Sequence, residues 1–168
     1  SLRSSSLGAD YIVIAHSDFV DSLDPLIQMR QSEGLRVRVV DVQQVYDAFG
    51  YGIVDAEAIR GFLAFVYEYW PRPAPTYVLL VGDGNYDPRN EMGRGETSFV
   101  PPYLADADPW MGETAADNRY VAVHGSDIFP DMFLGRLPAK SVADVQAMVG
   151  KILAYETSSG GWQSALSF

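Results

Sequence analysis

Three oxygen-bearing side chains, Asp83, Asn85 and Asp87, stand at alternate positions in the stretch Gly82-Asp83-Gly84-Asn85-Tyr86-Asp87. Carboxylate and amide oxygens at positions one, three and five of a loop are hard-cation ligands, and the ion that suits them is calcium. The expectation from the residues alone is therefore a calcium site at Asp83, Asn85 and Asp87. The remainder of such a loop departs from the pattern. Position six is Pro88 where a Gly makes the turn, and position twelve is Arg94 where a bidentate Glu belongs. The competing reading is an Asx-rich turn whose side chains satisfy their own backbone. A dinucleotide fingerprint is excluded, because Asp87 occupies the third glycine position and no helical pattern follows it.

Other catalytic chemistry finds little support. The chain has no Cys, which removes disulfides, zinc–thiolate sites and a thiolate nucleophile. His16 and His124 are its two histidines. Ser17 and Asp18 follow His16, but adjacency in sequence is not triad geometry, and no nucleophile elbow is present. No catalytic residue is expected in this chain. The acidic set Asp106, Asp108, Glu113 and Asp117 reads as solvated surface. Arg136, directly after an apolar run, is expected to pair with a carboxylate such as Asp117 or Asp131.

The elements that must carry these residues follow from apolar patterning. Tyr77–Val81 is an unbroken apolar run, as in a central strand of a parallel sheet covered on both faces. Gly82 and Gly84 end it. Ligand chemistry in open α/β sheets lies just past the carboxyl ends of strands, which is where the Asp83 loop falls. Tyr11–Ala15 reads as the first strand. A helix follows up to Glu33, capped either at Ser17 or Asp18, or at Asp24 with Pro25 behind it. Leu35–Val40 alternates Arg36 and Arg38 with Val37 and Val39, which places it towards a sheet edge. One helical turn is expected over Val42–Tyr46. Asp55 caps a helix to Tyr69, closed by Trp70-Pro71. Pro88 to Asn118 reads as a long loop, Tyr120–Val123 as a short strand and Asp131–Arg136 as a further one. Ser141 caps the last helix, with Asp144 at the third helical position completing a near-capping box.

The fold expected is therefore α/β, with a small parallel, possibly mixed, sheet and helices on both faces. Residues 1–10 read as a linker or chain end, and 11–157 as the α/β unit. Residues 158–168 read as a linker followed by a first strand, Trp162–Phe168, that enters a neighbouring sheet. At 168 residues the chain is long enough to bury its own core, and its 48% apolar content is that of a globular protein. A net charge of −10 argues against nucleic acid and against anionic membrane surfaces as partners.

Taken in order, several segments resemble the gingipain-type cysteine peptidases, family C25. They are Tyr77-Val78-Leu79-Leu80-Val81-Gly82-Asp83, Asp117-Asn118-Arg119-Tyr120, Asp131-Met132-Phe133-Leu134-Gly135-Arg136-Leu137-Pro138, and Ala154-Tyr155-Glu156 at the end of a helix. Gly52 followed by Ala58-Ile59 and Phe62-Leu63 fits the same pattern. The resemblance implies a caspase-like unit of two subdomains, of which this chain matches the N-terminal one. The family's His and Cys belong to the second. His124-Gly125 precedes the Gly135-Arg136-Leu137-Pro138 block instead of following it, so no catalytic residue carries over. The implied role is a non-catalytic N-terminal subdomain of a secreted cysteine endopeptidase, partnered by a C-terminal catalytic subdomain that handles the polypeptide substrate. The alternative is a stand-alone binding or scaffolding α/β module.

Overall fold

Four short apolar segments collect into one parallel sheet. A computed structural model describes residues 2–110 and 112–158. The strands are β1 (Tyr11–Ala15), β2 (Val37–Asp41), β3 (Tyr77–Val81) and β6 (Phe133–Leu137), in the order β2-β1-β3-β6. The register is regular: Tyr11 lies beside Val37 on one side and Tyr77 on the other, and Tyr77 lies beside Phe133. β3 is internal, and its Val78, Leu79, Leu80 and Val81 are all buried, as the unbroken apolar run requires. β2 is at an edge, where the alternation of Arg36 and Arg38 with valines put it. The segment Trp162–Phe168, read above as a strand, lies outside the described residues.

Helices cover both faces. Pro25 sits in the first turn of α1 (Asp24–Ser32), and Gly34 follows its end at φ 87°. None of the expected caps, Ser17, Asp18 or Asp24, is the one used: α1 follows Leu23, which makes no side-chain cap bond, and Asp24 lies inside its first turn. A 3-10 segment, Ser17–Leu23, is capped by the His16 side chain and runs directly into α1. α2 covers Val42–Phe49, longer than the single turn expected. Asp41 caps it through Gln43 N–H, and Val42, Val45 and Tyr46 give it a buried face. α3 (Ala56–Tyr69) starts where Asp55 accepts from Glu57 N–H at 2.9 Å. α4 (Val142–Thr157) begins in a near-capping box: Ser141 Oγ accepts from Asp144 N–H, and the Asp144 carboxylate accepts from the N–H of Lys140, one residue before the cap.

Period-two alternation in the strands divides the core into two layers. Ile12, Ile14, Val78 and Leu80 pack with Val45, Ile59, Phe62 and Leu63 of α2 and α3. Val13, Ala15, Leu79 and Val81 pack with Phe19, Leu26, Val145 and Val149 on the other face.

Two expectations need correction. Residues 88–118 are not a plain loop. They contain an antiparallel hairpin, β4 (Leu104–Asp108) with β5 (Gly112–Ala115). The segment over Tyr120–Val123 is not a strand either. Asp117–Val121 forms a 3-10 helix that buries Tyr120 and Val121 against α3. Those two residue types favour strands, but here they fill a core position beside the sheet, and burial outweighs the local preference.

Ion pairs tie the helix ends together. The Arg30 guanidinium meets Glu156 at 2.7 Å and Glu33 at 3.0 Å, so the end of α4 is clamped to the end of α1. The hydrogen bonds from Arg30 hold the Glu156 carboxyl below the ordinary glutamate range, and those from Arg36 do the same for Asp10. A carboxyl with a depressed folded pKa stabilises the fold above its unfolded pKa, about 4.3 for Glu. That contribution disappears as pH falls through the lower folded value. Glu156→Gln is therefore expected to flatten the loss of stability below about pH 4.3, read as the urea midpoint against pH. An unchanged acid profile would mean that the clamp is not ionic in solution.

Candidate functional site

The carboxyl ends of β1, β3 and β6 meet at one edge of the sheet and present His16, the Gly82–Asp87 loop and Lys140. The loop begins with backbone that only a glycine supports. Gly82 has φ 138°, and a Cβ there would meet Phe99 Cβ at 2.7 Å. A Cβ on Gly84 would collide with the carbonyl oxygen of Val100 and with Pro102. These close approaches fasten the segment 99–102 over the end of β3. Asp83 completes the seam: its N–H donates to Ala139 O, and its carbonyl accepts from Phe99 N–H, both at 2.8 Å.

The three oxygen-bearing side chains have different partners. The Asp83 carboxylate faces Lys140 Nζ at 3.3 Å. Asn85 Oδ1 accepts from Asp87 N–H at 2.9 Å, and its amide donates to Glu96 O at 3.2 Å. Asp87 accepts from Glu91 N–H and Met92 N–H, one on each oxygen and both at 2.7 Å. Asn85 and Asp87 thus hold a self-satisfied Asx loop. Asp83 and Asn85 line a hollow of about 360 Å³ with Phe99 and Lys140, whereas Asn85 and Asp87 line a smaller one of about 150 Å³ with Asn90 and Arg94. Among the described residues, no three His, Cys, Asp or Glu side chains gather at metal-binding distance.

A calcium ion bound at Asp83 must displace Lys140. If the loop takes up calcium, Lys140→Ala removes a competing cation and strengthens that binding, and Asp83→Ala abolishes it, both measured by calorimetric titration. No heat at millimolar calcium in either the parent chain or Lys140→Ala rejects calcium at this loop.

Arg136 holds the edge together from beneath. Its Nε donates to Asp117 at 2.6 Å, and its two terminal nitrogens donate to the carbonyls of Gly82, Val100 and Pro101 at 2.8–3.0 Å. Of the two carboxylates expected for it, Asp117 is the partner. Asp131 instead accepts from Val123 and His124 N–H, both at 2.8 Å. Asp117 also accepts from Tyr103 N–H, and the buried Tyr120 hydroxyl donates to Pro101 O. Burial pushes the Tyr120 hydroxyl pKa well above its ordinary value, so it stays a donor at any physiological pH. Asp106 and Glu113 are exposed on the hairpin, whereas Asp117 is taken up by Arg136.

The histidines lie on opposite faces of the sheet. His16 packs its ring against Phe99 and Phe19, and its Nδ1 accepts from Asp18 N–H at 3.3 Å. His124 lies beside Tyr67 of α3, with Nδ1 3.9 Å from Glu68. Sequence reasoning missed Lys140 as the counter-charge of Asp83. It also missed Tyr86, whose hydroxyl ties the loop to the hairpin by donating to Glu113 O at 3.2 Å.

A parallel four-stranded sheet between helical layers is the caspase-like α/β fold that the gingipain structures share. The comparisons agree: the model of peptidase family C25 matches residues 4–168, and the chain belongs to that family. Gingipain R2 of Porphyromonas gingivalis is 24% identical over 145 residues, covering 86% of this chain and 16% of that protein. The crystal structure of dimeric latent PorU from Porphyromonas gingivalis superposes with a TM-score of 0.77 and 25% identity, over 97% of this chain and 17% of that one. The structure of the Arg-specific cysteine proteinase gingipain R (RgpB) has a TM-score of 0.66 and 23% identity, over 88% of this chain and 28% of that one. The chain therefore spans about a sixth of the length of gingipain R2.

Proposed function

We propose that this chain serves as the non-catalytic N-terminal subdomain of a gingipain-like cysteine endopeptidase, exported or held at the cell surface. In this reading it is a rigid platform on which a separate His- and Cys-bearing subdomain is built. The observation that carries the reading is the match to a cysteine peptidase family along nearly all of a chain that has no Cys. The family's chemistry needs a thiolate, and nothing in this sequence supplies one. The carboxyl edge supports a platform role. Its loops are closed by Arg136, by Gly84 against Val100–Pro102 and by Asp83 against Lys140, with no nucleophile–base pair among the described residues.

The purified chain is expected to cleave no peptide or protein substrate. Cleavage that disappears on substituting His16 or His124 would overturn the proposal. The reading frame beyond Phe168 distinguishes it from a stand-alone scaffold. A downstream His-Gly and a Cys after apolar strands support the peptidase assignment. A frame with neither assigns the chain to a binding module.

A further inference from the structure

Acidic residues outnumber basic ones in this chain by 22 to 12, so an arginine without a carboxylate partner is unexpected. Arg119, in the 3-10 helix Asp117–Val121, is such a residue. Its side chain is half-buried, yet among the described residues its guanidinium makes no hydrogen bond and no ion pair. It lines a hollow of about 270 Å³ together with Arg60, Tyr103, Ala105, Ala122 and Asp127. The walls are fixed. Arg60 of α3 donates through Nε to Arg119 O at 3.2 Å and through a terminal nitrogen to Ala122 O at 3.0 Å. Its other terminal nitrogen is 3.9 Å from Glu57, beyond hydrogen-bond reach. Glu57 is occupied by the Tyr103 hydroxyl, which donates to it at 2.5 Å. That hydrogen bond raises the Tyr103 hydroxyl pKa, whereas the charges of Arg60 and Arg119 act to lower it, so both guanidiniums lie near this hydroxyl. Asp127 brings the opposite charge. One of its oxygens accepts from Phe129 N–H at 2.9 Å, and the other has no hydrogen bond among the described residues.

We propose that this hollow binds a small free α-amino acid, with its carboxylate on Arg119 and Arg60 and its ammonium on Asp127. Charge and size choose the ligand. The planar guanidinium fork matches the two oxygens of a carboxylate. A simple anion bound there leaves the Asp127 carboxylate nearby without a partner, and a phosphate dianion is repelled by it more strongly. A zwitterion meets both signs at once, because the two charged groups of an α-amino acid sit on one carbon. The volume is just below the roughly 300–1,000 Å³ of sites for drug-sized ligands, which suits a molecule smaller than a peptide. Ala105 and Ala122 add short apolar walls, which favour a side chain as small as that of alanine. A bound amino acid links α3, the 3-10 helix and the turn at Asp127 through one molecule. The inference goes beyond the peptidase reading and does not depend on it.

Titration of the intact chain with L-alanine, followed by amide chemical shifts, tests the proposal. The amides of Arg119, Ala122 and Asp127 are expected to shift together and to saturate at millimolar concentration. Arg119→Gln and Asp127→Asn each remove one charge of the site and are each expected to weaken binding about 10-fold, the loss expected for one charge-assisted hydrogen bond. Arg60 stays in place in both variants, because it also holds two backbone carbonyls. No saturating shift with L-alanine in the parent chain overturns the inference, as does affinity unchanged in either variant. Acetate or inorganic phosphate binding as tightly as L-alanine makes this a plain anion site and also overturns it. A further comparison needs no substitution. N-acetyl-L-alanine keeps the carboxylate and lacks the ammonium, and it is expected to bind the parent chain about 10-fold more weakly than L-alanine. Equal affinity for the two overturns the assignment of Asp127.

Discussion

Arg136→Met is expected to cost about 3–5 kcal/mol of folding stability, the range seen when one partner of a poorly solvated ion pair is removed. The side chains of Arg136 and Asp117 are 16% and 23% exposed, so water replaces little of what is lost. Methionine keeps the apolar stem but leaves the Asp117 carboxylate without its cation. It also leaves the carbonyls of Gly82, Val100 and Pro101 without a shared donor. Urea unfolding measures the loss, and the exchange of the Asp83 and Phe99 amides reports where it is felt, since these close the seam over β3. Asp117→Asn keeps an acceptor for Arg136 and is expected to cost less. The double variant then gives the coupling between the two residues. A loss below about 1 kcal/mol for Arg136→Met would show that Arg136 is solvated like an ordinary surface arginine.

Phe62→Ala is expected to cost a similar 3–5 kcal/mol, through a different mechanism. Phe62 is completely buried in α3, with its ring 5.6 Å from Phe49 and 6.1 Å from Trp70. Truncation removes transfer free energy and leaves a cavity where α2, α3 and the sheet converge. Phe62→Leu retains most of the volume and is expected to recover more than half of the loss, measured by the same urea midpoints. Equal losses in both variants would mean that ring geometry, not volume, sets the packing there.

What the sequence reveals depends on how local the cause is. β3 is legible because five apolar residues in a row have no comfortable place except a sheet covered on both sides. α3 and α4 are legible because Asp55 and Ser141 announce their starts. The edge position of β2 shows in two arginines. The hairpin is not legible, because Leu104–Asp108 and Gly112–Ala115 are rich in Asp, Ala and Gly, which favour strands weakly. The Tyr120 segment misleads for the opposite reason: strand-favouring residues are recruited by a distant part of the core. At the edge of the sheet, the sequence places Asp83, Asn85 and Asp87 on one loop but does not show their partners. Lys140 reaches Asp83 only because β6 lies beside β3, a neighbourhood that appears once the chain has folded.

The parallel order of the strands also governs how the sheet is assembled. Tyr11 must find Val37 and Tyr77, and Tyr77 must find Phe133, each across a long connection, before any pair of strands is complete. Such long-range closure gives the chain a high contact order, and chains of that kind cross their folding barrier slowly. The β4–β5 hairpin is the strand pairing among the described residues that closes locally, yet it lies outside the main sheet and cannot seed it. Until the sheet closes, Ile12–Ala15 and Val78–Val81 remain unpaired apolar segments. In this protein the interval most open to aggregation is therefore the one before β1 and β3 meet.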